Sequence, residues 1–354
     1  MPPDTSGAAG APGAPVEPPA STPAERGAGW SRLASWDTVV MAVLVVTVVV
    51  AAVVVDGFAT ARNLNFLVLD VAAIALIAMP MTLVIITGEI DLSVASALGL
   101  CASVLGQLWV LGVPLETGIV VCILLGGLLG AVNGVFTTRF GLPSLAVTIG
   151  TLAMYRGLAS VVLGDRAVAD FPPEWTRAVT STLPGTPLPT MIVPLVVFAV
   201  VFGVVLHATP IGRTLYAIGA NAESARFAGV AVARTKFWLF VATGAMSGLA
   251  GVYWAFRYAS VRADVAAGLE LSVVAAVLLG GVSIFGGRGT MPGVMAGVLL
   301  LGTLINALRL ANVSAEALNI VTGLLLIVSV LTPNVIALSR RALSRRTTTA
   351  AEMP

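Results

Sequence analysis

Three carboxylates, Asp70, Glu89 and Asp91, lie within or between apolar stretches that are long enough to enter a membrane. A charged side chain at the centre of a bilayer costs about 3 kcal/mol or more, so each of these groups needs an explanation. One chemical role for such carboxylates is to carry protons or ions along a route through the membrane. The residue types therefore point first to transport across a bilayer.

Glu89 and Asp91 belong to the first break, TGEIDLS (87–93), which separates two apolar runs. Gly88 permits a sharp turn there, and Asp91 or Ser93 is suited to cap the helix that follows. The first break is either a capped joint between helices or a segment lining the transport route or its cytoplasmic gate. The two interpretations are compatible, and we favour both together.

The second break, residues 280–289, lies in the glycine-rich stretch LLGGVSIFGGRGTMPG (278–293). Short spans interrupted by glycine in both halves of a chain indicate where a transporter binds and moves its substrate. Glycine also lets membrane helices pack closely, so composition alone does not decide its role. We predict that both breaks approach the central pathway. The residues assigned to the pathway or gate are Glu89, Asp91, Ser93, Gly280, Gly281, Gly286 and Gly287.

Four further polar residues within the apolar spans are assigned to contacts inside the membrane. Asp70 and Arg156 have opposite charges and are candidates for a buried pair. Asn133 and Asn306 are interpreted as residues that hydrogen-bond between helices, in preference to ligands. No metal site is predicted, because no metal-ligand spacing occurs and His207 is the only histidine.

Motifs for common enzyme chemistry are absent from the sequence. There is no G-x-x-x-x-G-K-[ST] phosphate-binding loop, and the only lysine, Lys236, is followed by phenylalanine. Neither the H-E-x-x-H zinc motif nor the G-x-S-x-G serine elbow occurs. The chain is therefore expected to bind no cofactor itself and to have no ATPase site of its own.

The composition is that of an all-α polytopic membrane protein. Of the 354 residues, 58% are hydrophobic and 10% are charged, and the mean hydropathy is +1.00. A soluble domain has roughly a quarter charged residues, and a helix needs about 20 apolar residues to cross a membrane. Ten stretches are predicted to span: 37–55, 64–87, 92–112, 117–138, 143–163, 189–208, 237–257, 270–285, 291–311 and 316–338.

The distribution of charge predicts the orientation, because short cytoplasmic loops carry an excess of arginine and lysine. Most of the nineteen cations lie inside when both termini are placed in the cytoplasm. Residues 1–33 are then a disordered cytoplasmic extension, 37–338 the transmembrane domain, and 339–354 a cytoplasmic tail. The longest outer segment, 164–188, is either a connecting lid or part of a docking surface for an external partner.

The polar segment, residues 209–236, reads TPIGRTLYAIGANAESARFAGVAVARTK and lies between two long apolar runs. It carries four cations and one acid, and its small residues, Ala225 and Gly229 among them, are spaced to line one face of a short helix. A helix of this kind below the membrane suits docking into a groove on another protein. The chain therefore resembles one component of a complex in which a separate protein supplies the energy.

A faint internal repeat relates the two halves of the chain. One constant offset places Asn133 on Asn306 and Gly150 on Gly323. With ten spans the two halves would cross the membrane in opposite directions, which is a known transporter design. We therefore expect an inverted repeat.

Four motifs together resemble the permease subunits of bacterial ABC importers for monosaccharides, of the ribose, xylose, rhamnose and autoinducer-2 type. The resemblance extends over about residues 37–338, and Glu89 stands where the family commonly has glycine. The motifs are MTLVIITGEIDLSVAS (81–96), GLPSLAVTIGTLAMYRGLA (141–159), GRTLYAIGANAESARFAGV (212–230) and ELSVVAAVLLGGVSIFGGRGTMPGVMAG (270–297).

This resemblance implies a type II ABC-importer-like permease in the cell membrane. It implies separate ATP-binding cassette subunits that bind ATP and magnesium, a second permease of the same or homologous sequence, and an extracytoplasmic sugar-binding protein. It also implies that 219–230 forms the coupling helix, with Gly219, Asn221, Ala225 and Gly229 at motif positions. The last third is most similar to rhamnose permeases, with autoinducer-2 permeases next.

Two other classes of function compete with this interpretation. An ion-coupled secondary sugar transporter would use Asp70, Glu89 or Asp91 to carry protons, but it leaves the patterned polar segment unexplained. An intramembrane enzyme has no nucleophile–base constellation to support it. We favour the permease subunit of an ABC importer, with rhamnose or a related deoxysugar or pentose as the first candidate substrate.

Overall fold

The computed structural model describes residues 36–331, which form helices joined by short connections. Within this part of the chain, β-structure is limited to two isolated bridges, Val168 with Val261 and Thr182 with Pro189. The helices are α1 (Trp36–Val54), α2 (Ala61–Ile86), α3 (Val94–Val110), α4 (Leu115–Thr138), α5 (Ser144–Leu163), α6 (Pro173–Thr180), α7 (Ile192–Ala208), α8 (Pro210–Ala220), α9 (Ala222–Phe227), α10 (Val232–Tyr258), α11 (Leu269–Leu279), α12 (Met291–Leu310) and α13 (Ala315–Leu331).

The prediction of an all-helical polytopic protein is confirmed. Six helices in the described part are long and apolar enough to cross a membrane, and the pair α7 and α8, bent by 68°, gives a seventh candidate. The other three predicted spans coincide with the shorter apolar helices α3, α11 and α13. The count of ten spans and the inverted repeat therefore stay predictions, and the expectations for 1–33 and 339–354 lie outside the described residues.

Helix α2 lies at the centre of the bundle, where 94% of its most apolar stretch is buried. The helices α7, α10, α11 and α12 all pack against it. Helix α1 is the opposite case, because only 17% of its apolar stretch is buried. Its valine-rich outer face is suited to contact lipid, whereas α2 provides the apolar centre against which both breaks are positioned.

The closest helix crossing joins α4 to α10 and depends on glycine. Gly126 and Gly130 of α4 face Gly244 and Gly248 of α10, and each pair has the four-residue spacing of membrane helix contacts. A Cβ atom at any of these four positions would lie closer than 3.0 Å to backbone atoms of the facing helix. Helix α10 begins inside the polar segment, at Val232. This crossing therefore holds the C-terminal end of the segment in place.

Buried polar groups at helix contacts are paired across the bundle. Asn63 of α2 and Asn306 of α12 exchange two side-chain hydrogen bonds of 2.9 and 3.0 Å. Tyr155 of α5 donates to the carbonyl of Leu129 in α4 at 2.9 Å. The structure therefore gives Asn306 an interhelical hydrogen-bonding partner, Asn63, which sequence analysis did not single out.

Candidate transport pathway and coupling site

The first break is a tight polar turn between α2 and α3. Gly88 has a φ of +81°, a conformation that favours glycine. Asp91 is 1% exposed, and its Oδ1 accepts hydrogen bonds from the backbone N–H of Ser93 at 2.9 Å and from the Ser93 hydroxyl at 2.7 Å. The Ser93 side chain does not cap α3, so Asp91 is the residue that closes the turn.

Asn133 ties the first break to α4 and α5. Its Nδ2 donates to Ser93 Oγ at 2.7 Å and to Asp91 Oδ1 at 3.5 Å. Its Oδ1 accepts from the hydroxyl of Thr151 at 2.8 Å. None of the ion pairs in the described part includes Asp91, so neutral donors surround this buried carboxyl.

Glu89 contacts the end of the polar segment. Its Oε1 lies 2.5 Å from Nζ of Lys236, and both side chains are 15% exposed. Beside this ion pair is a cleft of about 320 Å³, which Thr137 of α4 and Glu223 and Arg226 of α9 also line. The first break is therefore joined to the segment that the sequence assigns to a partner protein.

The second break begins where α11 ends. Gly281 has a φ of +90° and lies against the indole ring of Trp36, so an added Cβ there would come closer than 3.0 Å to that ring. Trp36 Nε1 also donates to the carbonyl of Leu279 at 3.2 Å. Gly286 and Gly287 have positive φ angles and close a tight turn. The sequence analysis missed Trp36, because nothing in a local pattern links α1 to this break.

The two breaks meet at a backbone junction. The N–H of Gly287 donates to the carbonyl of Ile86 at 2.9 Å, which joins the second break to the end of α2. Gly219, near the end of α8, lies against the same two residues, and a Cβ atom there would be closer than 3.0 Å to both. Gly219 therefore packs inside this chain, a contact that its assignment to partner docking did not anticipate.

The polar segment contains two helices, so the coupling helix expected over 219–230 is shorter than that range: α8 ends at Ala220, and α9 covers Ala222–Phe227. Its coupling role stays a prediction. Asn221 has an extended backbone (φ −163°, ψ 106°), which ends α8, and its side chain caps α9 by accepting from the N–H of Ser224 at 2.8 Å. Ala225 is buried, whereas Gly229 has a φ of +85° and open space around it. Phe227, at the end of α9, is 80% exposed.

Asp70 and Arg156 do not pair, and that hypothesis is wrong. Asp70 accepts from Arg257 at 3.4 Å and from Arg309 at 2.8 Å, two arginines that follow it by more than a hundred residues. Arg156 instead donates to the carbonyls of Ala263 and Val265 at 3.3 and 2.7 Å. A backbone loop therefore satisfies the arginine, and no carboxylate is needed beside it.

The segment 164–188 folds its aromatic pair inward. Phe171 and Trp175 both pack on the ring of Phe256 in α10, with ring centroids 6.2 and 5.0 Å away. These aromatic side chains stabilise the segment against the bundle, so they do not form an exposed docking surface. In the neighbouring loop, the hydrogen bond from Arg262 lowers the pKa of Asp264 below its usual value.

A buried central helix, two broken spans and an exposed polar segment define this protein as an α-helical, multi-pass membrane permease. Residues 63–330 match the family described as "Branched-chain amino acid transport system / permease component", and the chain belongs to this family. No solved structure matches the chain significantly.

The chain is also similar to characterised members of this group over most of its length. It is 33% identical to the autoinducer 2 import system permease protein LsrD of Photorhabdus laumondii, over 83% of this chain and 90% of that protein. Identity to the LsrD proteins of Salmonella paratyphi A and Yersinia pseudotuberculosis is 31% and 32%, over 85% and 84% of this chain and 92% and 91% of those proteins.

Proposed function

We propose that this chain is the permease subunit of an ABC importer for a monosaccharide or a related compound. Two observations support this function: membership of a family of transport-system permeases, and similarity to permeases named for autoinducer 2 import. Rhamnose, the first candidate from the sequence, has no support among these relatives. Autoinducer 2 is therefore the first compound to test, and rhamnose is the second.

The structural observation that carries the proposal is the exposed polar segment joined to both breaks. Phe227 places a large apolar side chain in a polar environment, and Ala225 anchors its helix to the protein. An exposed aromatic residue on a short helix is suited to insert into a groove of a partner. We assign this partner as the ATP-binding cassette subunit, which supplies the ATP and magnesium sites that this chain is proposed to lack.

The remaining partners follow from the same proposal. Only 22% of the apolar stretch of α5 is buried, and Gly150 and Gly157 lie on this helix. A Cβ atom added at either glycine would meet no atom of another helix, so this open small-residue face suits close packing against a second permease, of the same or homologous sequence. An extracytoplasmic binding protein would deliver the substrate on the other side, with both termini of this chain in the cytoplasm.

The carboxylates give little support to the ion-coupled alternative. Asp70 and Glu89 each have cationic partners in the structure. Asp91 is enclosed by three hydrogen-bond donors. Each group therefore has a structural partner that accounts for its position without a role in proton transport.

The energy source provides the first test. In vesicles containing this chain and its partner subunits, with internal ATP and the binding protein outside, we expect uptake of labelled autoinducer 2 to continue after ionophores collapse the proton and sodium gradients. Replacing ATP by a non-hydrolysable analogue should stop uptake. Uptake that follows the gradient at constant ATP would contradict the proposal.

The docking role of the polar segment gives a second prediction. Phe227→Ala should weaken binding of the ATPase subunit about tenfold, because removing an exposed aromatic anchor from an interface costs more than about 1 kcal/mol. Binding would be measured by titrating purified ATPase against the permease in nanodiscs. Phe140→Ala is the matched control, since Phe140 is 63% exposed but lies outside the polar segment. Equal affinities for the two variants would contradict this docking site.

A further inference from the structure

The polar segment contacts the region of the first break at two separate points. At the end of α8, Gly219 lies against Gly287 and against Ile86, the last residue of α2 before the break. At the other end, Lys236 of α10 forms the ion pair with Glu89. The exposed helix α9 lies between these two attachments in the chain. Any displacement of α9 is therefore passed to the first break through one attachment or both.

The ion pair is the attachment that acts directly on the break. Both side chains are largely buried, so removing either partner would leave the other charge in a poorly hydrated place. Glu89 is two residues from Asp91, whose hydrogen bonds reach α4 through Asn133. A movement of Lys236 is thus transmitted to a turn that holds three helices together.

The cleft beside the ion pair gives this movement room. It lies between the first break, the end of α4 and α9, and it is lined by residues of all three. The cleft therefore leaves space beside the ion pair into which the side chains of α9 and of the first break can move.

We propose that the Glu89–Lys236 ion pair transmits movement of the ATPase-bound polar segment to the first break and so opens or closes the pathway. Both are positioning residues, because they act through the backbone of the first break. The inference rests on the proposed function.

The test uses the complete complex in vesicles, and it measures ATP hydrolysis and uptake of labelled autoinducer 2 in the same preparation. Glu89→Gln and Lys236→Met should each retain ATP hydrolysis and lose at least about tenfold in molecules imported per ATP. The reason is that the ion pair is lost while the polar segment still binds the ATPase subunit. Lys236→Arg should keep coupled uptake. The charge-exchanged double variant, Glu89→Lys with Lys236→Glu, should recover most of it.

Arg139→Met is the matched control, because it removes an exposed cation at the end of α4 without touching the ion pair. It should leave import per ATP unchanged. Wild-type import per ATP in both single variants would overturn the proposal. Where a single variant fails to assemble, the double variant decides: coupled uptake supports the link, and assembly without coupling overturns it. Wild-type uptake that is independent of ATP would instead refute the proposed function.

Discussion

Replacing Gly126 by alanine is expected to break the packing of α4 on α10. The added Cβ atom would lie closer than 3.0 Å to the carbonyl oxygen of Gly244 and to the backbone of Gly248. Neither helix can yield locally, because the obstructing atoms belong to the backbone. We expect a loss of about 2 kcal/mol or more in the free energy of unfolding, a large share of the stability of a folded protein.

Gly127→Ala is the matched control for this prediction. Gly127 is the next residue on the same helix, and a Cβ atom there would make ordinary contacts of 3.8 Å with side chains of Ala245 and Val241. Both variants would be extracted in mild detergent and heated, with the monodisperse fraction followed by size-exclusion chromatography. Equal thermal midpoints for Gly126→Ala and Gly127→Ala would show that the crossing is not as close as the structure indicates.

Replacing Gly219 by alanine is expected to separate α8 from both breaks. The methyl group would occupy the position where the backbone of Ile86 meets that of Gly287. We expect uptake to fall to background, since the junction joins the polar segment to the two parts assigned to the pathway. The measurement is uptake in vesicles, normalised to the amount of permease inserted.

Gly203→Ala serves as the control, because Gly203 on α7 faces only side-chain atoms of Met291 at 3.8 and 3.9 Å. Alanine is also the better helix former by up to about 1 kcal/mol. This variant should insert and transport normally. Normal uptake by Gly219→Ala would mean that the junction can widen without consequence for transport.

Local patterns were enough to predict much of the fold. Every predicted apolar stretch overlaps a helix in the described part of the chain, and Gly88 marks the turn where the second predicted span, 64–87, ends. The four-residue glycine spacing in α4 and α10 was also visible and could have predicted their crossing. The end of α8 at Asn221 was a missed signal of the same kind, because asparagine is a preferred helix cap.

Pairings between distant residues could not be obtained in this way. Lys236 is the only lysine, which could have drawn attention to it, but no local rule connects it with Glu89. The partner of Asp70 was likewise assigned wrongly. Opposite charge suggests which residues could pair, but it does not show which of them are close in space. Such contacts depend on how the helices cross, and one sequence does not specify that geometry.

The contact of Trp36 with Leu279 also bears on how the protein is made. The tryptophan begins α1, but the glycine-rich turn that contacts it is synthesised only after the described helices α1 to α11 have been completed. Asn63 is likewise synthesised 243 residues before its partner Asn306. Both contacts of the N-terminal half therefore form late in synthesis. A chain interrupted before they form would expose the Asn63 side-chain oxygen inside the membrane without its Asn306 donor, a feature by which quality-control proteases could distinguish nascent from finished molecules.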